Sequence, residues 1–252
     1  MSRRSRIEAR LPAWLVEKVP RDHLETDAAF RRRRRIVAGV SVAGAGLLGV
    51  SLSTEPGSRQ FYGLTLGVAA TWLAGGLASG PLHLGRISRR NTLVRPVLVP
   101  VLTGVAAFGA FYGAALVARE IPVLERALSE VLQYAKQGSG PLVALTALSN
   151  GAAEEVFFRG ALYAAMGEQY SVPGSTLSYV LATTATRNPA LMLASIPLGL
   201  LFALQRRASG GIQAPAITHV VWSALMLRYV PPLFDDIAPP PPPPPPPLPG
   251  PG

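Results

Sequence analysis

The chain has no cysteine. A disulfide, a thiolate-ligated metal and a thiol nucleophile are therefore all excluded. Lysine is almost missing too: Lys18 and Lys136 are the only two among 24 basic residues, and the rest are arginine. Charge of either sign is scarce, at 15% of residues, where soluble domains carry about 25%. Histidine occurs three times. With 49% apolar residues and a mean hydropathy of +0.30, this deficit of charge excludes an ordinary soluble domain. It points to a chain that crosses a membrane several times. The net charge of +10 borders apolar stretches, so membrane topology accounts for it and nucleic-acid binding does not. The preference for arginine, with much alanine and glycine, suits a GC-rich bacterial genome.

What is present is a series of long uncharged runs. Residues 1–35 form a basic tail ending in Arg31–Arg35, which reads as a cytoplasmic determinant of orientation. Within it Leu11–Val19 is amphipathic, with Trp14 and Leu15 as interfacial anchors, and His23 carries no signal. The tail is too long and too charged for a signal peptide, so the first apolar run is a signal anchor. Runs at 36–54, 60–85 and 96–118 predict three N-terminal membrane helices, each long enough to cross about 30 Å of hydrocarbon. Gly76/Gly80 and Gly109/Gly113 are small-residue pairs that permit close helix packing. Residues 119–137 differ. Leu124, Leu128, Val131 and Leu132 recur with helical period between charges, and Pro122 suits a first turn. This predicts an amphipathic helix lying at the interface.

Residues 138–230 hold the remaining spans, at 140–166, 169–186, 188–205 and 212–229, with Pro197 inside the third and a turn at 206–211. The expected fold is an all-α polytopic helix bundle of about seven transmembrane helices plus one interfacial helix. A cytoplasmic N-terminus places the basic loop 86–95 and the Arg206-Arg207 turn inside, as the positive-inside rule requires. Residues 231–252 are a disordered proline-rich tail whose nine prolines, Pro239–Pro247, form a polyproline spacer.

The fourth run contains Ala153-Glu154-Glu155-Val156-Phe157-Phe158-Arg159-Gly160. One charge near a bilayer centre costs roughly 2.5–3.5 kcal/mol on insertion scales, so three in six residues ask for a reason. On a helix, Glu155 and Arg159 stand four apart and can pair. Glu154 points about 100° away and has no cation on its own helix, which leaves it free to act on a water. Spacing alone also permits the reverse assignment. It leaves open an ion cluster joining helices, or a proton or ion pathway in a transporter. His219 lies mid-span with Ser223 four residues on, on the same face. His83 borders a basic loop and reads as interfacial.

Glu-Glu-x-x-x-Arg in one span and a small-residue/Pro-x-x-x-His pattern in a later one resemble the CPBP family. These are the CAAX-processing and bacteriocin-processing or immunity membrane proteins (Abi domain) related to Rce1-type prenyl proteases. The likeness covers roughly 138–230 and extends to Gly199–Ser223, a glycine-bearing span, a short basic turn and the His219 span. It implies a glutamate-dependent intramembrane endopeptidase, with Glu154 as base, Glu155 and Arg159 as its support and His219 as an oxyanion donor. The chain departs from the family in two places. No histidine lies between Arg159 and His219, and Asn188 stands roughly where one is expected. Ser223 replaces an asparagine. The resemblance implies no obligatory cofactor; a divalent metal such as zinc would need Glu154, Glu155 and His219 as ligands. The implied partners are the lipid bilayer and a membrane-embedded or lipid-associated peptide or protein, with no nucleic acid, at the inner membrane of a bacterial cell. The alternatives are a catalytically impaired scaffold or immunity protein and an ion- or proton-coupled transporter.

Overall fold

The computed structural model describes residues 25–89, 92–167 and 169–234. The Leu11–Val19 stretch, His23 and the proline run lie outside the described residues. Helix α1 (Asp27–Ser51) begins well ahead of the first apolar run. Thr26 is the reason: its Oγ1 accepts from Ala29 N at 3.2 Å, and Asp27 sits in the first turn, where an acidic side chain suits the helix dipole. The arginine cluster is therefore helical. Arg33 is fully buried. It pairs with Glu25 and donates to Ser79 Oγ and to the Pro81 carbonyl, both at 3.2 Å. Gly80 makes room for it: φ is +139°, and a Cβ there would lie 2.7 Å from Arg33 Nη2. One of the five arginines, in a cluster that reads as a determinant of orientation, is thus a fixed internal anchor.

Helix α2 (Arg59–Ala78) packs along α1 through glycines. Gly44 accepts the Trp72 indole, and a Cβ on Gly75 would meet Val40 Cγ1 at 2.5 Å. Trp72 in turn stacks near Phe157 and Phe158, with ring centroids at 4.7 and 5.0 Å. Gly76 faces Val156, whereas Gly109 and Gly113 meet nothing within 4 Å among the described residues, so the second expected glycine pair packs against no helix described there. A short antiparallel hairpin follows, β1 (Ile87–Arg89) with β2 (Thr92–Val94), where the sequence reads only as a loop.

Helix α3 (Leu98–Ala118) leads to α4 (Pro122–Lys136), with Pro122 in the first turn as expected. Tyr134 anchors α4: its hydroxyl proton is shared between the carbonyls of Leu52 and Thr54, at 2.7 and 2.8 Å. The apolar stripe of α4, with Leu124, Leu128, Val131 and Leu132, lines a partly open apolar cavity. The same spacing serves such a lining and an interfacial position alike, because both surfaces are apolar.

The glutamate-bearing run is one rod in three parts: α5 (Gly140–Glu154), a π-helical segment (Glu155–Leu162) and α6 (Tyr163–Met166). Then come α7 (Ser171–Thr184), α8 (Pro189–Ser209), α9 (Gln213–Tyr229) and a 3₁₀ turn (Pro231–Phe234). Helix α8 runs through Arg206 and Arg207, which were expected in a turn, and ends at Gly210 in the left-handed conformation, φ +68°. The architecture is an all-α helical bundle of membrane type. Among the described residues, α1, α2, α3 and α8 are long and apolar enough to cross a membrane on their own. Helix α9, with 17 residues, stands at the lower end of the length needed to span, about 17–25 residues, and α7, with 14, is shorter. The glutamate-bearing rod runs unbroken from Gly140 to Met166.

The N-terminus of α9 is held by backbone pairing. Ile212 N donates to His83 O at 2.9 Å, Gln213 N to Leu84 O at 3.0 Å, and Arg86 N to Ser209 O at 2.7 Å. Gly85, with φ +85°, permits this approach: a Cβ would fall 2.6 Å from Gly211 N. His83 thus contributes its main chain to the position of the last helix.

Candidate active site

The π-helical segment starts at Glu155, immediately after Glu154. Such segments inside α-helices are frequent at functional sites. Glu155 and Arg159 are both fully buried, and Arg159 Nη1 donates to Glu155 Oε1 at 3.1 Å. The expected pair forms. Arg159 Nη2 donates to the Gly199 carbonyl at 3.1 Å. Its guanidinium lies over Tyr179 at 4.6 Å and Phe202 at 5.2 Å, a setting that favours a cation electrostatically. Arg206 Nε donates to the Arg159 carbonyl at 2.8 Å, tying α8 to the π-helical turn.

His219 joins this cluster. Its Nδ1 lies 2.9 Å from the same Glu155 Oε1, and its ring stacks on Phe202 with centroids 4.7 Å apart. A carboxylate held by Arg159 only accepts hydrogen bonds, so Nδ1 carries the proton in this contact. Nε2 is then an acceptor in neutral imidazole and a donor only in the imidazolium. Gly151 leaves space for the ring: a Cβ there would sit 3.3 Å from Nε2.

Glu154 faces another way. It is half-buried and lines a cavity of about 730 Å³ whose walls come from α1 to α5, α8 and α9. That volume lies within the usual range for small-ligand sites, about 300–1,000 Å³. The walls are overwhelmingly aliphatic and aromatic. Their polar side chains near Glu154 include Asn150 and Thr146 on α5, and Ser223 and Trp222 on α9. Glu154 Oε2 accepts a hydrogen bond from the Tyr179 hydroxyl at 3.1 Å.

The six candidate residues therefore divide into three groups. Glu154 and Ser223 line the cavity. Glu155, Arg159 and His219 form a buried cluster behind it. Asn188 joins neither: its Oδ1 caps α8 by accepting from Leu191 N at 3.1 Å, and its Nδ2 donates to the Ala127 carbonyl at 2.7 Å. Both ends of the amide are committed to holding helices, and Asn188 is absent from the cavity wall. An asparagine directly before proline at a helix start is a capping signature, so the sequence did contain this signal. Tyr179 carried no sequence signal of its own; only the fold brings it to Glu154.

Among the described residues, no group of three or more His, Cys, Asp or Glu side chains is placed to hold a metal. Glu154, Glu155 and His219 are not gathered as such a group: Glu154 lines the cavity, while Glu155 and His219 pair with each other in the buried cluster.

With this geometry in place, comparison with known families has a clear result. Residues 136–225 match the model of the family described as type II CAAX prenyl endopeptidase, Rce1-like. The match spans the glutamate-bearing rod, α7, α8 and most of α9, about a third of the chain, and this part is similar to that family. No curated protein and no solved structure matches the chain.

Proposed function

We propose that the chain is a multi-pass intramembrane endopeptidase in which Glu154 activates water. The observation that carries this reading is the division of labour between adjacent carboxylates. Glu155 is consumed by Arg159 and His219, while Glu154 stands at the wall of a large apolar cavity. In this mechanism Glu154 takes a proton from a cavity water, and the hydroxide adds to a peptide carbonyl carbon. The tetrahedral intermediate collapses as Glu154 returns the proton to the departing nitrogen, leaving a carboxylic acid and an amine, between which a proton then passes to give carboxylate and ammonium. Ser223, on the cavity wall, takes the part of a hydroxyl donor to the oxyanion in this reading; such donors matter when they lie near 3 Å from the developing charge. The apolar walls suit a membrane-embedded or lipid-associated peptide or protein. The arginine clusters suit an N-terminus on the cytoplasmic side of a bacterial inner membrane.

A second reading is a catalytically impaired scaffold or immunity protein. It draws on the commitment of Asn188 to helix capping, which leaves no imidazole on α7 or α8 beside Glu154. One experiment separates the two. Reconstituted wild type and Glu154→Gln are each incubated with membrane proteins from the host, and new N-termini are identified by mass spectrometry. Cleavage by wild type alone supports the protease; equal outcomes for the two proteins remove Glu154 from catalysis.

A further inference from the structure

Glu154 has a partner that its sequence neighbourhood does not supply. The Tyr179 hydroxyl on α7 donates to Oε2 at 3.1 Å, and no other hydrogen bond to the Glu154 carboxylate is present among the described residues. Tyr179 has little freedom to leave. Its ring lies over the Arg159 guanidinium at 4.6 Å and meets Phe158 edge to face at 5.1 Å. The backbone of α8 closes on it at Gly199, where a Cβ would come within 3.2 Å of Tyr179 Cδ1. Tyr179 is not part of the cavity wall, whereas Glu154 is. The carboxylate therefore spans the two: one oxygen is bound from behind by a fixed phenol, and the other is left for the cavity.

We infer that Tyr179 is the positioning residue for Glu154, fixing Oε2 and so making Oε1 the oxygen that meets water. This rests on the reading of Glu154 as the base. The terminal torsion of a glutamate is broad and roughly two-fold, so an untethered carboxylate would present either oxygen in many orientations. Tyr179 supplies the constraint without exchanging a proton: its hydroxyl hydrogen stays on the phenol oxygen and is donated to Oε2, while Oε1 receives the proton of water. The same ring braces Arg159, which holds Glu155, so one side chain sets the relative placement of both glutamates.

The test is Tyr179→Phe, which keeps the ring over Arg159 and removes only the hydroxyl. The probe is dicyclohexylcarbodiimide, an apolar reagent that modifies protonated carboxyl groups, applied to the full chain in detergent across a pH series. Modification of the Glu154 peptide is followed by mass spectrometry, with Glu154→Gln as the blank. The expected result is labelling of Tyr179→Phe several-fold faster than wild type near neutral pH, with the pH profile of labelling displaced. In the reconstituted cleavage assay, each wild-type cleavage should slow about tenfold. Tyr179→His, which restores a donor, should recover part of both. Unchanged labelling, or displaced labelling with an unchanged cleavage rate, overturns the inference. Cleavage that is insensitive to Glu154→Gln overturns the protease reading instead, and labelling still decides the Tyr179 contact. If Tyr179→Phe unfolds, the Tyr179→His profile is read alone: a wild-type profile supports the hydroxyl's role as a donor, and a displaced one with a normal melting temperature counts against it.

Discussion

Glu155 Oε1 stands 2.9 Å from His219 Nδ1 and 3.1 Å from Arg159 Nη1. One oxygen thus joins the π-helical turn to α9 and also neutralises a buried guanidinium. The other oxygen, Oε2, is buried without a partner. The cluster is held by charge complementarity at a single atom, and this makes it sensitive to losing either partner.

Arg159→Met should destabilise the protein by about 3–5 kcal/mol, because it strands a buried carboxylate. Thermal unfolding in detergent checks this. The double variant Glu155→Gln/Arg159→Met should recover part of the loss; a double variant no better than the single one would contradict the ion-pair account.

Gly151→Ala should separate activity from stability. The new methyl group would crowd the His219 ring at 3.2–3.4 Å, while alanine in place of glycine helps a helix by about 1 kcal/mol. Cleavage is expected to fall roughly tenfold with the melting temperature little changed, an estimate scaled from about 1.4 kcal/mol per decade of rate. Wild-type cleavage would show that the ring has no role.

Asn188→Ala should lose about 0.5–2 kcal/mol of stability through the missing cap, with the Ala127 carbonyl also left without its donor. Cleavage per folded molecule should stay near wild type. A drop in specific activity with normal stability would return Asn188 to the chemistry.

Ala147→Phe should fill part of the cavity about two turns before Glu154 on the same face of α5. Cleavage should fall by a factor on the order of ten, in line with the 10–200-fold sensitivity of apolar pockets to small volume changes. Labelling of Glu154 by the carbodiimide in detergent provides a check that the carboxylate itself remains in place.

Much of this was legible in the chain. The apolar runs located the helices because hydropathy and charge are local properties, and α4 kept its predicted start at Pro122. The Glu155–Arg159 pair followed from a four-residue spacing. The direction in which α4 turns its leucines was not legible, because lipid and an apolar cavity select the same stripe. Nor was the tie between His219 and Glu155, which joins positions 64 residues apart. The π-helical turn leaves no local signature in Glu155–Leu162 that an α-helix would lack. The burial of Arg33 was not legible either: the cluster reads as a determinant of orientation, and only Glu25, Ser79 and Pro81 explain why this member is buried.

The pairing of residues 83–86 with the start of α9 bears on how the chain can be divided. Arg33 on α1 holds the 79–81 corner, and a few residues later the same strand sets the height of the His219 helix. Trp72 on α2 occupies the core against Phe157 and Phe158. A protein trimmed to residues 136–225 would keep every acidic, basic and imidazole group of the candidate site and lose the brackets that register them. The smallest excisable unit is accordingly larger than the family likeness, and it begins at or before Glu25.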